Sequence, residues 1–169
     1  VRITLRTNLA IRTLMYCAVN SDRRVRITDI ANACNASENH LGQVIGLLRQ
    51  SGFIDAVRGR NGGLSLSRPA NLINIGAVFR IFEADMPFAE CFGPDNTCPL
   101  VKVCWLRIAI ADAVETFYGS LERVNLSDLV DGNDALQLLL GLPQDVRTPP
   151  PCGSAQPLGE GGLSRSAVV

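Results

Sequence analysis

The sequence predicts a mainly α-helical chain with a small β-hairpin wing, arranged as a winged helix-turn-helix domain followed by a long dimerisation helix. Three observations carry that prediction. Residues 28–50 divide into two short helical stretches around a tight turn, and the second has the cleaner apolar stripe. Two short apolar strands flank Arg58-Gly59-Arg60-Asn61-Gly62-Gly63, a segment rich in residues free to turn. Residues 101–121 are apolar on several helical faces at once, which in a chain of 169 residues demands cover from more than one side.

A hydrophobic fraction of 47% supports a real core, and no apolar run is long enough to span a membrane. Val1 to Thr7 alternate charged and apolar residues instead of building a secretory h-region, so a cytoplasmic setting is expected. Six cysteines in that setting point to metal or redox chemistry before disulfides. The net charge of zero hides an asymmetry. Residues 1–68 hold ten Arg against four acidic residues, whereas the remainder holds six basic against twelve acidic side chains. Only the first half is suited to a polyanion; the bland reading is a solvated basic face.

Taken in order, Leu5, Leu9, Ile11, Leu14, Met15, Ala18 and Val19 predict a helix over residues 5–19, capped by Thr4 or Thr7, with Cys17 in its core. Arg23-Arg24-Val25-Arg26 reads as a charged connector. Thr28 is expected to cap a short helix to Cys34, with Ile30, Ala31 and Cys34 inward. Asn35-Ala36 turns the chain, and Ser37 caps a helix to about Gln50 whose inward face is Leu41, Val44, Ile45 and Leu48. Its outward N-terminal residues are Glu38, Asn39, His40 and Gln43, and Asn and Gln amides can bond an adenine edge bidentately. Gly42 and Gly46 weaken this helix by about 1 kcal/mol each relative to Ala. Absent side chains there would let the backbone approach DNA closely.

Gly52 ends that helix as the residue after its cap, and strands 53–57 and 64–67 form the wing. Arg58 and Arg60, with Asn61 beside them, are placed to meet phosphates or the minor groove. No strand-to-helix phosphate loop or dinucleotide fingerprint surrounds the glycines, which leaves duplex DNA as the better partner than a nucleotide. A short helix follows over 75–83, then the long helix from about Val101 to Leu121 with Cys104 in its first turn. The same helix of a second subunit is the expected cover for its apolar faces; a central core helix in a monomer is the alternative. Residues 127–130 and 135–140 are short helical pieces expected to pack on its end. The chain thus divides into a DNA-binding region (1–84), a cysteine loop suited to a metal (85–100), a dimerisation helix with C-terminal helices (101–142), and a Pro/Gly/Ser-rich disordered tail (143–169) that holds Cys152.

Cys91, Cys98 and Cys104 fall in one C-x6-C-x5-C loop with Gly93-Pro94 and Pro99 inside it. Packing cysteines stand singly on apolar faces, so thiols gathered on a turn favour a metal site. Zinc held structurally by three thiolates and another ligand, and a thiol–disulfide sensor, remain open on the residues alone. An Fe–S electron carrier or enzyme would need a flavin, nucleotide or His/Asp constellation that the chain lacks, and a non-enzymatic transcription factor is expected.

Residues 2 to about 142 resemble the Fe–S winged-helix regulators of the NsrR, RirA and IscR family. The resemblance rests on Thr7-Asn8-Leu9-Ala10-Ile11-Arg12, Ser37-Glu38-Asn39-His40-Leu41, Val57-Arg58-Gly59-Arg60-Asn61-Gly62-Gly63-Leu64, Ala89-Glu90-Cys91-Phe92, Cys98-Pro99-Leu100 and Cys104. Asn39-His40-Leu41 with Val44-Ile45 looks closest to the nitric-oxide-sensing NsrR branch, and the first helix also looks like the iron-responsive RirA branch. The resemblance implies a 2Fe–2S or 4Fe–4S cluster held by Cys91, Cys98 and Cys104 in each subunit of a homodimer, with nitric oxide as signal and an operator duplex as target. Where IscR-type members place a ligand His, this chain has Arg107, and its only His, His40, sits on the reading helix. Where some NsrR proteins use an Asp from the partner's first helix, this chain has Asn8, so Asn8, Glu90, water or a small thiol would complete the site.

Overall fold

A computed structural model describes residues 3–59, 62–83 and 87–141. The elements in order are α1 (Leu5–Val19), α2 (Ile27–Cys34), α3 (Glu38–Gln50), β1 (Ile54–Val57), β2 (Gly63–Leu66), α4 (Ile75–Glu83), α5 (Trp105–Leu121), α6 (Leu126–Val130) and α7 (Asp134–Leu140). Single 3-10 turns lie at Ala70–Leu72 and Glu90–Phe92. The mainly helical chain with one antiparallel hairpin is the predicted winged helix-turn-helix class.

The hub of the molecule is α1. It packs against α2, α3, α4, α6, α7 and β2. Ala10, Thr13 and Leu14 are fully buried, whereas Leu5, placed on the inward stripe by periodicity, is 62% exposed. The burial extends to polar positions because their hydroxyls find hydrogen-bond partners. Thr13 Oγ1 donates to the Leu9 carbonyl at 2.7 Å. Buried Thr7 donates to Glu83 Oε1, which also accepts from Thr4 N at 3.1 Å and Thr4 Oγ1 at 2.9 Å. Thr4, not Thr7, is the cap, its hydroxyl accepting from Thr7 N. Thus one carboxylate at the end of α4 satisfies the start of α1. Glu83→Ala is expected to cost about 1–3 kcal/mol, the range for removing an acceptor from buried or charge-assisted donors. Thermal unfolding at the wild-type midpoint would contradict it.

The helix-turn-helix forms as its sequence suggests, with two differences. Thr28 does not cap α2; it lies exposed in the first turn, and Asp29 accepts from Arg26 N at 3.2 Å, so the helix starts at Ile27. The 23–26 segment is not a mere connector: Val25 is fully buried and pairs with Leu64 through N–H to O bonds of 2.9 and 2.8 Å. That makes a third short rung on the two-stranded wing. A Cβ on Gly63 would fall 2.9 Å from both Arg24 Cβ and the Val25 carbonyl oxygen, so the close approach requires glycine there. Between α2 and α3, Asn35 takes the left-handed conformation (φ 48°). Ser37 caps α3, accepting from His40 N at 3.3 Å, and Leu41, Val44, Ile45 and Leu48 are buried as the spacing required. Gly52 follows the cap with φ +72°.

The short helix α4 packs against α5, and its start meets the end of α5. A Cβ on Gly76 would lie 2.7 Å from Glu122 N, and Asn74 Nδ2 donates to the Glu122 carbonyl at 2.6 Å. From there the chain returns to α1 and does not stack on the end of α5. Leu126 N donates to the Ile73 carbonyl at 2.8 Å, α6 lies along α1, and Asn20 Nδ2 reaches the Leu140 carbonyl at 3.0 Å. The tail beyond residue 141, with Cys152, lies outside the described residues, as do Arg60 and Asn61 at the wing tip.

Candidate functional site

Two sets of side chains stand out, one on the helix-turn-helix and wing, the other on the cysteine loop. Glu38, Asn39, His40 and Gln43 are all exposed on the N-terminal half of α3, next to the exposed cap Ser37. Gly42 and Gly46 are exposed too, and the space at their Cβ positions is empty, so this face is shallow around the two amides. Thr28 is exposed at the start of α2 and Arg58 at the end of β1. Buried Leu41, Val44 and Leu48 lock α3 to the core, so its outward face is presented by a fixed element. Arrays of this kind offer base-reading amides from a helix N-terminus flanked by cations for phosphates.

The cysteine loop supports itself by short-range bonds. Phe92 N donates to the Ala89 carbonyl at 3.0 Å and Gly93 N to the Glu90 carbonyl at 2.9 Å, closing the turn that carries Cys91. Asn96 Oδ1 accepts from Cys98 N at 2.9 Å, and Thr97 Oγ1 donates to Glu90 Oε1 at 2.9 Å, which draws Glu90 into the loop. Cys104 does not sit inside the long helix: Val101–Val103 form a turn, and Cys104 occupies the cap position ahead of Trp105. Pro99 and the turn bonds Val101 N to Cys98 O and Val103 N to Leu100 O delay the helix past the apolar run that suggests it.

Arg107 contacts the cysteine loop in a way that the sequence pattern does not single out. Its Nε donates to the Cys91 carbonyl at 3.1 Å and its guanidinium lies 5.3 Å from the Phe92 ring centroid. It therefore ties the first cysteine's turn to the helix that begins at the third. The available signal is its position three residues after Cys104, which by resemblance marks only the absence of a ligand His. Phe88, edge-on to Tyr118 with centroids 6.4 Å apart, holds the start of the loop to the other end of α5.

Cys91, Cys98 and Cys104 are free and half-buried. Among the described residues no group of three or more His, Cys, Asp or Glu side chains is gathered closely enough to hold a metal ion. In donor chemistry the set fits an iron–sulfur group: three soft sulfur ligands on one turn-rich segment. His40 lies on α3, which packs on α1, α2 and β1, away from this loop. Asn8 is exposed in the first turns of α1, beside the clamp that Glu83 makes on Thr4 and Thr7. Cys17 and Cys34 are different in kind. Burial pushes the Cys17 thiol up to about 12 and raises that of Cys34 against the pull of Arg12. Folded protein stripped of metal and treated with a thiol reagent at neutral pH is expected to label Cys91, Cys98 and Cys104 and to spare Cys17, by peptide mass mapping. Because the Cys17 value is raised on folding, its contribution to stability is complete below pH 9 and is lost as pH rises toward 12.

Comparisons with known proteins place the chain in a family. Residues 3–132 match the Rrf2 family model, described as an iron-dependent transcriptional regulator. The chain is 40% identical over 147 residues to Protein aau3 of Rhizobium meliloti, covering 86% of this chain and 96% of that one. It is 39% identical over 142 residues to the HTH-type transcriptional regulator NsrR of Geobacillus kaustophilus, covering 82% and 96%. Its fold superposes on CymR (YrzC), the global cysteine regulator of B. subtilis, with a TM-score of 0.57 and 25% identity over 77% of this chain and 96% of that one. Proteins of this class bind DNA to control transcription and are not enzymes, and no helix among the described residues is long and apolar enough to cross a membrane. The chain belongs to the Rrf2 family of transcriptional regulators.

Proposed function

We propose that the protein is a homodimeric repressor that binds an operator duplex and senses nitric oxide through an iron–sulfur cluster, 2Fe–2S or 4Fe–4S, held by Cys91, Cys98 and Cys104. The observation that carries this reading is that three free, half-buried thiols stand within one stretch of chain, from Cys91 to Cys104, whose first turn Arg107 ties to the start of α5. Thiolates are the natural ligands of such a cluster, and a bound cluster supplies a site that nitric oxide can attack. Similarity to NsrR proteins, 39% in the case of the Geobacillus kaustophilus regulator, supports nitric oxide over other signals.

Each of the chain's own parts then has a task. The three thiols would hold the cluster, and Arg107 fixes the Cys91 turn through its bond to the Cys91 carbonyl. Asn8 of the partner subunit is the proposed fourth ligand, its helix start positioned by the Glu83 clamp. The exposed face of α5 joins the subunits. Trp105 is 83% and Leu106 67% exposed in the protomer, and Leu106, Ala109, Ala113, Thr116 and Ser120 follow one another at three- and four-residue steps on exposed positions. Asn39, His40 and Gln43 read base edges, with Thr28, Ser37 and Glu38 around them, while Arg58, Arg60 and Asn61 serve the wing contact. Without a cluster, the cysteine loop at the start of α5 would no longer be held by its three thiols, and the spacing of the two α3 helices would change.

Protein purified without oxygen tests the cofactor first. Brown protein with iron and sulfide near stoichiometry supports the reading. Colourless protein with one zinc per chain reduces the loop to a structural metal site.

A further inference from the structure

We propose that Arg24 and Arg26, on the segment between α1 and α2, form a second phosphate-binding edge of the DNA interface, continuous with the wing. The inference rests on the DNA-binding role just described and extends its contact surface to a part of the chain that reads as a linker. Val25 is the anchor. It is fully buried, and its two backbone bonds to Leu64 hold the segment against β2 as a third rung of the wing. Side chains alternate across such a rung, so with Val25 inward its two neighbours are turned outward. Arg24 and Arg26 are both exposed, as that alternation requires.

The position of the two residues follows from the same pairing. Gly63 stands next to this rung, and a Cβ there would meet Arg24 Cβ and the Val25 carbonyl at 2.9 Å. Gly63 also pairs with Val57, the residue before Arg58. The connector therefore runs beside the tip end of the hairpin, one strand away from Arg58. On its other side Arg26 directly precedes α2, whose first turn exposes Thr28, and Asp29 bonds Arg26 N without forming an ion pair with its side chain. The ion pairs among the described residues both belong to Arg80, on α4, so neither Arg24 nor Arg26 is neutralised in that way. Asp55, paired with Ser65 on the wing, is the acidic residue on the neighbouring strands, lying at the end away from Arg58. An extended pair of guanidinium groups beside a wing can bridge phosphates on either side of the groove that the wing approaches.

Phosphate contacts are independent of sequence, so a random-sequence duplex of about 30 base pairs is a sufficient probe. Binding would be followed by fluorescence anisotropy between about 50 and 200 mM salt, for the wild type, R24A/R26A, R24K/R26K and R58A. The double alanine variant is expected to bind at least about tenfold more weakly at the lower salt. Its salt slope should be shallower by about 0.9 for each phosphate no longer neutralised. The lysine variant should retain most of the slope, since the phosphates require charge and not packing. Wild-type affinity and slope in R24A/R26A, alongside weakened R58A, would overturn the inference and leave the DNA reading intact. Failure of the wild type to bind any duplex at low salt would overturn both.

Discussion

Replacing Cys91, Cys98 and Cys104 together with Ala is expected to give a folded protein that purifies colourless without oxygen and carries only background iron. The fold survives because the three side chains lie outside the core formed by α1 to α4 and α6. Each is half-buried, and the loop bonds that shape their turns come from Glu90, Asn96, Thr97 and Arg107 and from the backbone. Substitutions at such positions typically shift stability by about 0.5 kcal/mol or less, so the melting temperature should move by only a few degrees. Function is another matter. The variant should bind its operator weakly and show no response to nitric oxide, because the thiols that hold the sensing group are gone; tight operator binding with normal regulation in cells would contradict the coupling. Retention of stoichiometric iron would contradict the ligand assignment, and loss of the folded state would show the loop to be structural.

The second large effect is expected from Ala113→Glu. In the protomer Ala113 is exposed on α5, so a charge there disturbs no internal packing. Across a two-fold seam it would place two new carboxylates close together, in a region already bearing exposed Asp112 and Glu115. Equilibrium sedimentation should show a dimer for the wild type and a monomer for the variant. Operator affinity should fall by about a hundredfold or more, since two half-site contacts no longer act as one. A variant that stays dimeric with unchanged operator affinity would move the subunit interface elsewhere.

Much of this architecture is legible from periodicity and caps. Leu41, Val44, Ile45 and Leu48 announce α3, and Ser37 with Gly52 marks its ends, because local chemistry and tertiary packing agree there. The features that escape such a reading are those settled by distant contacts. Val25 sits among three arginines, and only its pairing with Leu64, 39 positions away, makes it core. Thr7 and Thr13 look like surface or cap residues by type, yet their hydroxyls close on Glu83 and the Leu9 carbonyl, so α1 can be buried on more sides than its apolar stripe suggests. Periodicity starts the long helix four residues early, since the apolar run from Val101 gives no sign that turns after Pro99 consume it. At the cysteine loop the spacing points to the three thiols, but the role of Arg107 depends on a carbonyl sixteen residues earlier in the chain.

The state of the cysteine loop should govern DNA binding, and one titration addresses that coupling directly. Anaerobically purified dimer, bound to its operator fragment, would receive nitric oxide in small increments while visible absorbance and DNA anisotropy are recorded in the same cuvette. Bleaching of the cluster absorbance with a parallel fall in operator binding is the predicted result, and it should be absent in the three-cysteine variant. Complete bleaching with DNA binding unchanged would contradict the account, because the cysteine loop would then report to something other than the reading helices.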